Sequence, residues 1–224
     1  MYNISKCLQK YIKKTEKFFQ KYPFFQYKKG DLIVRPDEKI NKIYYLKKGM
    51  VKEYIVSDND SRLVIHIFRP GAFFLMTWLV NPINSCFFEA VNNVEIHKVP
   101  IEEVKKFVRS EPEDLFNFTL RLLKGVDGLT KRLETIVFDQ AYIKVASLLS
   151  YIAKTFGADD HGEIVVNFPL THKEIASWTG ITRETASLQV EELEKKGIIS
   201  YRCRQMVVNN LIALEKEITS QKVS

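Results

Sequence analysis

Apolar and polar positions alternate in different ways along this 224-residue chain, and each pattern predicts a different kind of element. Residues 3–21 carry apolar side chains at helical intervals, with lysines on the opposite face, which is typical of an amphipathic helix. Residues 25–99 form short alternating runs broken by turn residues, a pattern that predicts the strands of a small sandwich or barrel. From residue 101 the helical period returns, beginning with a short helix over 101–109.

A long helix is predicted from Pro112 to about Phe138, followed by a break near residues 138–141. Its apolar residues recur in alternating steps of four and three, the repeat of a two-stranded coiled coil. This seam consists of Leu115, Thr119, Leu122, Val126, Leu129, Leu133 and Ile136. Other apolar side chains of the helix are expected to pack on the preceding strands, namely Phe116, Phe118, Leu120 and Leu123. A buried core helix is the alternative interpretation.

Residues 141–157 predict one more amphipathic helix, which is followed by a loop and then by a short strand over residues 164–170.

Residues 170–199 predict two short helices joined by a tight turn. Thr171 and Glu174 have the spacing of a capping box, in which each side chain satisfies a backbone N–H of the other residue. Gly180 supplies the permissive backbone that a sharp turn needs. Thr182 is a good N-cap for the second helix. This pattern predicts a helix-turn-helix, with a helical hairpin that carries a solvated charged face as the alternative.

The second of these helices has one apolar face and one polar face. The residues expected to pack on the first helix are Ala186, Val190 and Leu193. Arg183, Glu184 and Ser187 then lie on the outer face near the N-terminus, the part of a helix-turn-helix that enters the major groove. An arginine fork matches the two acceptors of guanine, a carboxylate can accept from cytosine, and a hydroxyl can do either.

Two short apolar runs follow Gly197 and flank a turn that carries Arg202 and Arg204. This pattern predicts a hairpin whose basic turn lies beside DNA phosphates, as in a winged helix-turn-helix.

Charge, cysteine content and hydropathy narrow the function classes. The net charge is +7, but residues 1–35 hold nine basic and two acidic residues, so the remainder is neutral. The prediction of DNA binding therefore depends on the positions of particular arginines. Three separated cysteines without CxxC spacing argue against a disulfide framework and against a zinc site. Without a membrane-spanning run or a signal-peptide pattern, a cytoplasmic protein is expected.

The string I-A-x-x-x-G-x-x-R-E-T-x-S in the helix-turn-helix resembles the DNA-binding motif of the Crp/Fnr superfamily. The phrases KKGDLIVRPDE, IYYLKKGMVKEYIV and FRPGAFF resemble the sensor domain of the same superfamily. The resemblance implies an α+β protein with a jelly-roll-type β-roll, a long dimerisation helix and a winged helix-turn-helix. The corresponding expected domains are residues 1–110, 111–139 and 140–224.

The resemblance also implies roles for individual residues. Arg183, Glu184 and Ser187 would read bases, and Leu188 stands where family members often carry a second arginine. Leu188 could instead contact a thymine methyl group. The residues expected to contact phosphates or to cap helices are Thr171, Thr182, Arg202 and Arg204. The long helix would form a homodimer interface through Leu115, Leu122, Val126, Leu129, Leu133 and Ile136.

The effector of the β-roll is not specified by the sequence. No arginine occurs between Arg69 and Arg109 to pair with a cyclic phosphate, and Cys7 lacks the neighbouring cysteines of an iron–sulfur site. His66 and His97 are the haem-ligand candidates, but a lone strand histidine is usually structural. No cofactor is predicted. An unidentified small organic effector would contact Phe74, Met76, Trp78, Cys86 and Phe88, and the alternatives are a core role for these residues and a roll that binds nothing.

The predicted function is that of a homodimeric, sequence-specific transcription regulator that binds double-stranded DNA and RNA polymerase. The alternative is a ligand-sensing or scaffold module that uses its helix-turn-helix for protein contacts. No nucleophile–base pair, metal cluster or phosphate loop suggests an enzyme, and no membrane partner is expected.

Overall fold

A computed structural model describes residues 4–39, 41–75, 84–166, 168, 170–203 and 205–220, with side chains from residue 11 onwards. The chain divides into two compact units. The first comprises Met1–Ser57 with Val64–Gly128, and the second comprises Asp58–Leu63 with Leu129–Ser224. In the described part of the chain, no helix is long and apolar enough to cross a membrane.

The elements of the first part of the chain follow the predicted order of helix, strands and helices. They are α1 (Ile4–Phe19), β1 (Phe24–Tyr27), β2 (Leu32–Val34), β3 (Lys42–Lys48), β4 (Val51–Val56), β5 (Arg62–Phe68), β6 (Phe73–Phe74), β7 (Phe87–Ala90), β8 (Val94–Pro100), α2 (Ile101–Arg109) and α3 (Pro112–Phe138). The remaining elements are α4 (Ala141–Phe156), β9 (Gly157–Asp160), β10 (Glu163–Val166), α5 (His172–Thr179), α6 (Arg183–Lys195), β11 (Ile199–Arg202), β12 (Gln205–Val208) and α7 (Leu211–Ser220).

The β-roll consists of two four-stranded sheets, with strand orders β1-β8-β3-β6 and β2-β7-β4-β5. Both sheets contribute alternate side chains to one core, which includes Val34, Leu46, Val51, Phe88 and Ile96. Two antiparallel sheets packed through their apolar faces form a sandwich of the predicted jelly-roll type. The α+β class is therefore confirmed.

Helix α1 packs its aromatic face on the roll. Phe19 is 2% exposed, and its ring stacks on Tyr45 at a centroid distance of 4.8 Å. Phe18 stacks on Phe107 of α2 at 4.2 Å, so that α1 also contacts the helix that follows the roll. Lys13 and Lys17 on the opposite face are exposed. The prediction of an amphipathic helix at the start of the chain is confirmed.

Helix α3 has one face on the roll. Phe118 is buried and stacks on Phe73 at a centroid distance of 5.3 Å. The Arg121 guanidinium lies over the same Phe73 ring at 4.4 Å and donates to the Gly71 carbonyl at 2.8 Å. Burial lowers the pKa of Arg121, because it disfavours the charged guanidinium, and the stacking and the backbone hydrogen bond offset part of that cost.

The seam of α3 is largely exposed. Its large apolar side chains that face solvent are Leu115, Leu122, Val126, Leu129 and Leu133, while Ile136 is half-buried. The prediction that Phe116 and Leu123 pack on the roll is wrong, since they are 51% and 59% exposed. Adjacent helical residues differ by about 100°, so these two side chains, each one residue beyond a seam leucine, point away from the face that carries Phe118. They widen the exposed apolar stripe instead.

A second difference concerns residues 157–163, which the sequence predicts to be a loop. They form strand β9 and the turn into β10, with Asp160 paired opposite Glu163. His161 and Gly162, the two residues of the turn, both have positive φ, at 55° and 90°. Positive φ at both positions matches the right-handed twist of a two-residue hairpin. The turn therefore produces an ordered hairpin from a segment with few strand-forming residues.

Gly49 and Gly30 provide a matched test of packing in the roll, because φ is positive at both, at +83° and +87°. A Cβ atom on Gly49 would lie 2.4 Å from the Asn93 carbonyl oxygen, whereas a Cβ on Gly30 would meet nothing within 4 Å. We expect Gly49→Ala to lower the free energy of unfolding by about 3 kcal/mol or more, and Gly30→Ala by about 1 kcal/mol. Chemical denaturation at matched protein concentration measures both, and equal losses would contradict the expectation.

Candidate nucleic-acid interface

Helix α5 begins with the predicted capping box. The Glu174 amide donates to Thr171 Oγ1 at 3.2 Å, and the Thr171 amide donates to Glu174 Oε2 at 2.8 Å. Two backbone N–H groups that lack helical partners are thereby satisfied. The prediction of Thr171 as a helix cap is confirmed.

The turn between α5 and α6 is also built as predicted. Gly180 ends α5 in the left-handed conformation, with φ of 68°. The amides of Gly180 and Ile181 both donate to the Ala176 carbonyl, at 2.9 and 3.3 Å. Thr182 then caps α6 by accepting from the Thr185 amide at 3.1 Å. Only three residues separate the two helices, which gives the geometry of a helix-turn-helix.

Helix α6 buries one face and presents the other. Its buried residues are Ala186, Val190 and Leu193. Arg183 and Glu184 are exposed in the first turn, and Leu188 is 62% exposed in the second. Ser187 is half-buried and donates to Glu191 Oε1 at 3.3 Å. The structure therefore brings the four predicted base-reading residues together at the N-terminal end of one helix, and their contacts with bases stay a prediction.

A four-stranded sheet with the order β11-β12-β10-β9 lies in the same unit. Strands β11 and β12 form the predicted hairpin, in which Arg202 pairs with Gln205 across the turn. We call this hairpin the wing. Cys203, in the turn, has a positive φ of 48°. Arg204, predicted to contact phosphate, lies outside the described residues.

The guanidinium of Arg202 is in contact with two carboxylates of the β9–β10 hairpin. Its Nη2 donates to Glu163 Oε2, and its Nη1 lies 3.7 Å from Asp160 Oδ2. The sequence alone does not single out Glu163, because its partner is far away in the chain and the strand that carries it begins earlier than predicted. The predicted phosphate-binding residue therefore has protein partners of its own.

Arg132, near the end of α3, donates through Nη2 to the Trp178 carbonyl at 2.9 Å. Trp178 lies in the last turn of α5, where the carbonyls have no helical partner and the helix dipole favours a cation. Burial lowers the pKa of Arg132. The side chain therefore links the last part of α3 to the first helix of the helix-turn-helix, a role that its sequence context does not reveal.

Three residues join α4, α6 and α7 through hydrogen bonds. Tyr142 donates to Glu217 Oε2 at 2.7 Å, and Lys196 donates to Tyr142 Oη and to Glu217 Oε2 at 2.9 Å each. Burial raises the pKa of Tyr142 to about 12, while the hydrogen bonds from Lys196 and Tyr142 lower the pKa of Glu217. The network fixes the C-terminal end of α6 against α4 and α7. The N-terminal end of α6, with Arg183 and Glu184, is exposed to solvent.

The predicted effector residues divide into two groups. Phe74 and Phe88 are both buried, with ring centroids 5.5 Å apart, and Cys86 packs against the same core cluster. Burial, followed by the charge of Glu53, raises the pKa of Cys86 to about 11. Met76 and Trp78 lie outside the described residues.

His97, considered as a haem ligand, is buried with Nδ1 2.7 Å from the Tyr22 carbonyl, the geometry of a structural hydrogen bond.

Two family models match the chain in separate regions. The model of the Crp-like helix-turn-helix domain matches residues 143–217, which contain α5, α6 and the wing. The model of the cyclic nucleotide-binding domain matches residues 24–111, which contain the β-roll. The two matched regions do not overlap, and together they cover most of the chain.

Relatives and solved structures agree with these matches. The chain is 24% identical over 200 residues to the global nitrogen regulator of Nostoc sp., covering 86% of this chain and 88% of the relative. It is 26% identical over 176 residues to the transcriptional regulator SdrP of Thermus thermophilus, covering 77% and 83%. A CRP/FNR-family transcriptional regulator of known structure from Thermus thermophilus shares the fold with a TM-score of 0.74 and 23% identity, covering 88% of this chain and 98% of that one. The chain therefore belongs to the Crp/Fnr superfamily and is a transcription regulator with a helix-turn-helix DNA-binding domain.

Proposed function

We propose that this regulator acts as a homodimer on an inverted-repeat operator, with one α6 helix in each half-site. The observation that carries the proposal is the presentation of Arg183, Glu184 and Leu188 on the exposed N-terminal face of a doubly capped helix-turn-helix. Two such helices related by a twofold axis enter successive major grooves about 34 Å apart. An operator with two inverted half-sites follows from that symmetry.

The α3 seam supports the homodimer. Leu122, Val126, Leu129 and Leu133 are exposed large apolar side chains, and Phe116 and Leu123 extend the stripe. Fully burying one such side chain is worth about 1.5–3 kcal/mol, and exposed apolar stripes of this kind usually mark interfaces. A second copy of α3, with the same repeat, is the partner that the heptad pattern fits.

For control of DNA binding, we propose a small organic effector in the roll that is not a cyclic nucleotide. The stretch from Arg69 to Arg109 contains no intervening arginine to neutralise a cyclic phosphate. The effector would shift the population between dimers that can and cannot bind the operator. Contact with RNA polymerase at the promoter belongs to the same proposal.

The test is selection of binding sites from random duplex DNA by the purified full chain, at near-physiological salt and with no ligand added. Enrichment of an inverted repeat supports the proposed operator and shows that the protein without effector is already competent. Enrichment only after addition of small molecules from a cell extract supports the switch. Failure to enrich any sequence under either condition contradicts the proposal and favours a protein-contact role for the helix-turn-helix.

A further inference from the structure

The Arg202 guanidinium is the basic group of the described wing, and it is shared between two carboxylates. Nη2 donates to Glu163 Oε2 and Nη1 lies 3.7 Å from Asp160 Oδ2. Carboxylates and phosphates engage the guanidinium fork through the same parallel N–H donors. A DNA phosphate at the wing would therefore compete with Asp160 and Glu163, which we call the acidic pair.

The acidic pair is held on an ordered hairpin. Asp160 and Glu163 are opposite one another at the end of β9 and the start of β10. The turn between them has the conformation of a two-residue hairpin, and the Gly162 amide lies 3.4 Å from Asp159 Oδ1, which accepts its hydrogen bond. Because β10 also pairs with β12 of the wing, the carboxylates and Arg202 belong to one continuous sheet.

The ion pairs are weak enough to be exchanged. The side chains of Arg202, Asp160 and Glu163 are all partly exposed to solvent. Exposed ion pairs contribute little to folding stability, because water screens them. Their influence on a DNA phosphate is different, since two negative charges beside one guanidinium leave the group with a net negative charge. Arg202 alone would attract the DNA backbone, whereas Arg202 together with the acidic pair should repel it.

We propose that Glu163, together with Asp160, is a determinant of DNA affinity that withholds Arg202 from phosphate and so weakens sequence-independent binding. This inference rests on the DNA-binding function proposed above. It makes Glu163 a positioning residue, which acts on DNA through Arg202. The consequence is greater dependence on the base contacts of α6, because a weaker phosphate term lowers affinity for all sequences alike.

The test measures binding of the full chain to a random-sequence duplex of about 40 bp, long enough for both half-sites, over a series of salt concentrations. We expect Glu163→Gln to raise affinity about threefold to tenfold at low salt and to steepen the salt dependence by about 0.9 for each new phosphate contact, or about 2 per dimer. Glu163→Asp keeps the charge and should restore behaviour close to that of the unsubstituted protein. The gain should disappear when Arg202→Gln is combined with Glu163→Gln.

Asp159→Asn is the matched control, because it removes the same charge from the same hairpin. An equal gain in affinity from Asp159→Asn, or a gain that persists without Arg202, would show that the effect comes from a change in net charge at any position of the hairpin. Either result would overturn the proposal. Unchanged or weaker binding by Glu163→Gln, with an unchanged melting temperature, would also overturn it. If the unsubstituted protein and all variants bind no DNA at any salt concentration, the proposed DNA-binding function itself fails.

Discussion

Replacing Arg183 by alanine is expected to lower the affinity of the dimer for its selected operator by at least about 30-fold. A bidentate arginine contact with guanine is worth about 1–3 kcal/mol, and a symmetric operator loses one such contact in each half-site. The fold should be unaffected, because Arg183 is exposed in the first turn of α6 while the core contacts of this helix come from Ala186, Val190 and Leu193. Quantitative binding to the selected operator and to a scrambled duplex measures the change.

Lys195→Ala is the control for charge. Lys195 is also exposed on α6, but it lies 12 residues further along, about 18 Å from Arg183 along the helix axis. Lys195→Ala should reduce binding to both duplexes slightly and equally. Arg183→Ala should reduce binding to the operator much more than binding to the scrambled duplex. A uniform loss with Arg183→Ala would indicate a phosphate contact and contradict its assignment as a base reader.

The helix-turn-helix can be predicted from the sequence because its determinants are local. The capping box of α5, the turn at Gly180 and the cap at Thr182 all lie within a stretch of a dozen residues. Each is specified by backbone groups three or four residues away, so no tertiary information is needed. The same reasoning explains why the bounds of α3 can be predicted, since acidic first-turn residues and a sustained heptad repeat are both visible in the chain.

The contacts that escape prediction join distant residues. Arg202 and Glu163 are 39 residues apart, and Arg132 and Trp178 are 46 apart. Their proximity depends on the assembly of β9, β10, β11 and β12 into one sheet and on the path of α3, neither of which follows from local periodicity. Strand β9 is not predicted from the sequence because Gly157, Asp159 and Asp160 are poor strand formers, and pairing with β10 overrides that preference.

The exposure of Phe116 and Leu123 has a related cause. Heptad counting locates the seam, but it does not show how much of α3 the roll covers. Phe118 and Arg121 pack against Phe73 of the roll, whereas the neighbouring apolar residues Phe116 and Leu123 are exposed to solvent. A wider stripe than the seam alone is consistent with helices that pack through positions beside the a and d residues as well. The proposed dimer interface is correspondingly larger than the sequence suggests.

Combining Val126→Glu with Leu133→Glu is expected to convert the dimer to a monomer at micromolar concentration. These two side chains are 59% and 62% exposed in the single chain, so the substitutions should disturb its own core little. A dimer would lose four buried apolar side chains, at about 1.5–3 kcal/mol each, and would bring four carboxylates together at its seam. Sedimentation velocity measures the mass, and circular dichroism shows whether helix content is retained.

Lys124→Glu is the matched control on the same helix. Lys124 is exposed and lies between Leu122 and Val126 in sequence, at the heptad position opposite the seam. Lys124→Glu should leave the protein dimeric, although the substitution reverses a charge. Because operator affinity needs both half-sites, the Val126/Leu133 variant should also lose operator binding while it keeps weak binding to single half-sites. A double variant that is still dimeric with unchanged helix content would show that the subunits associate through another surface, and the exposed stripe of α3 would then need a different partner.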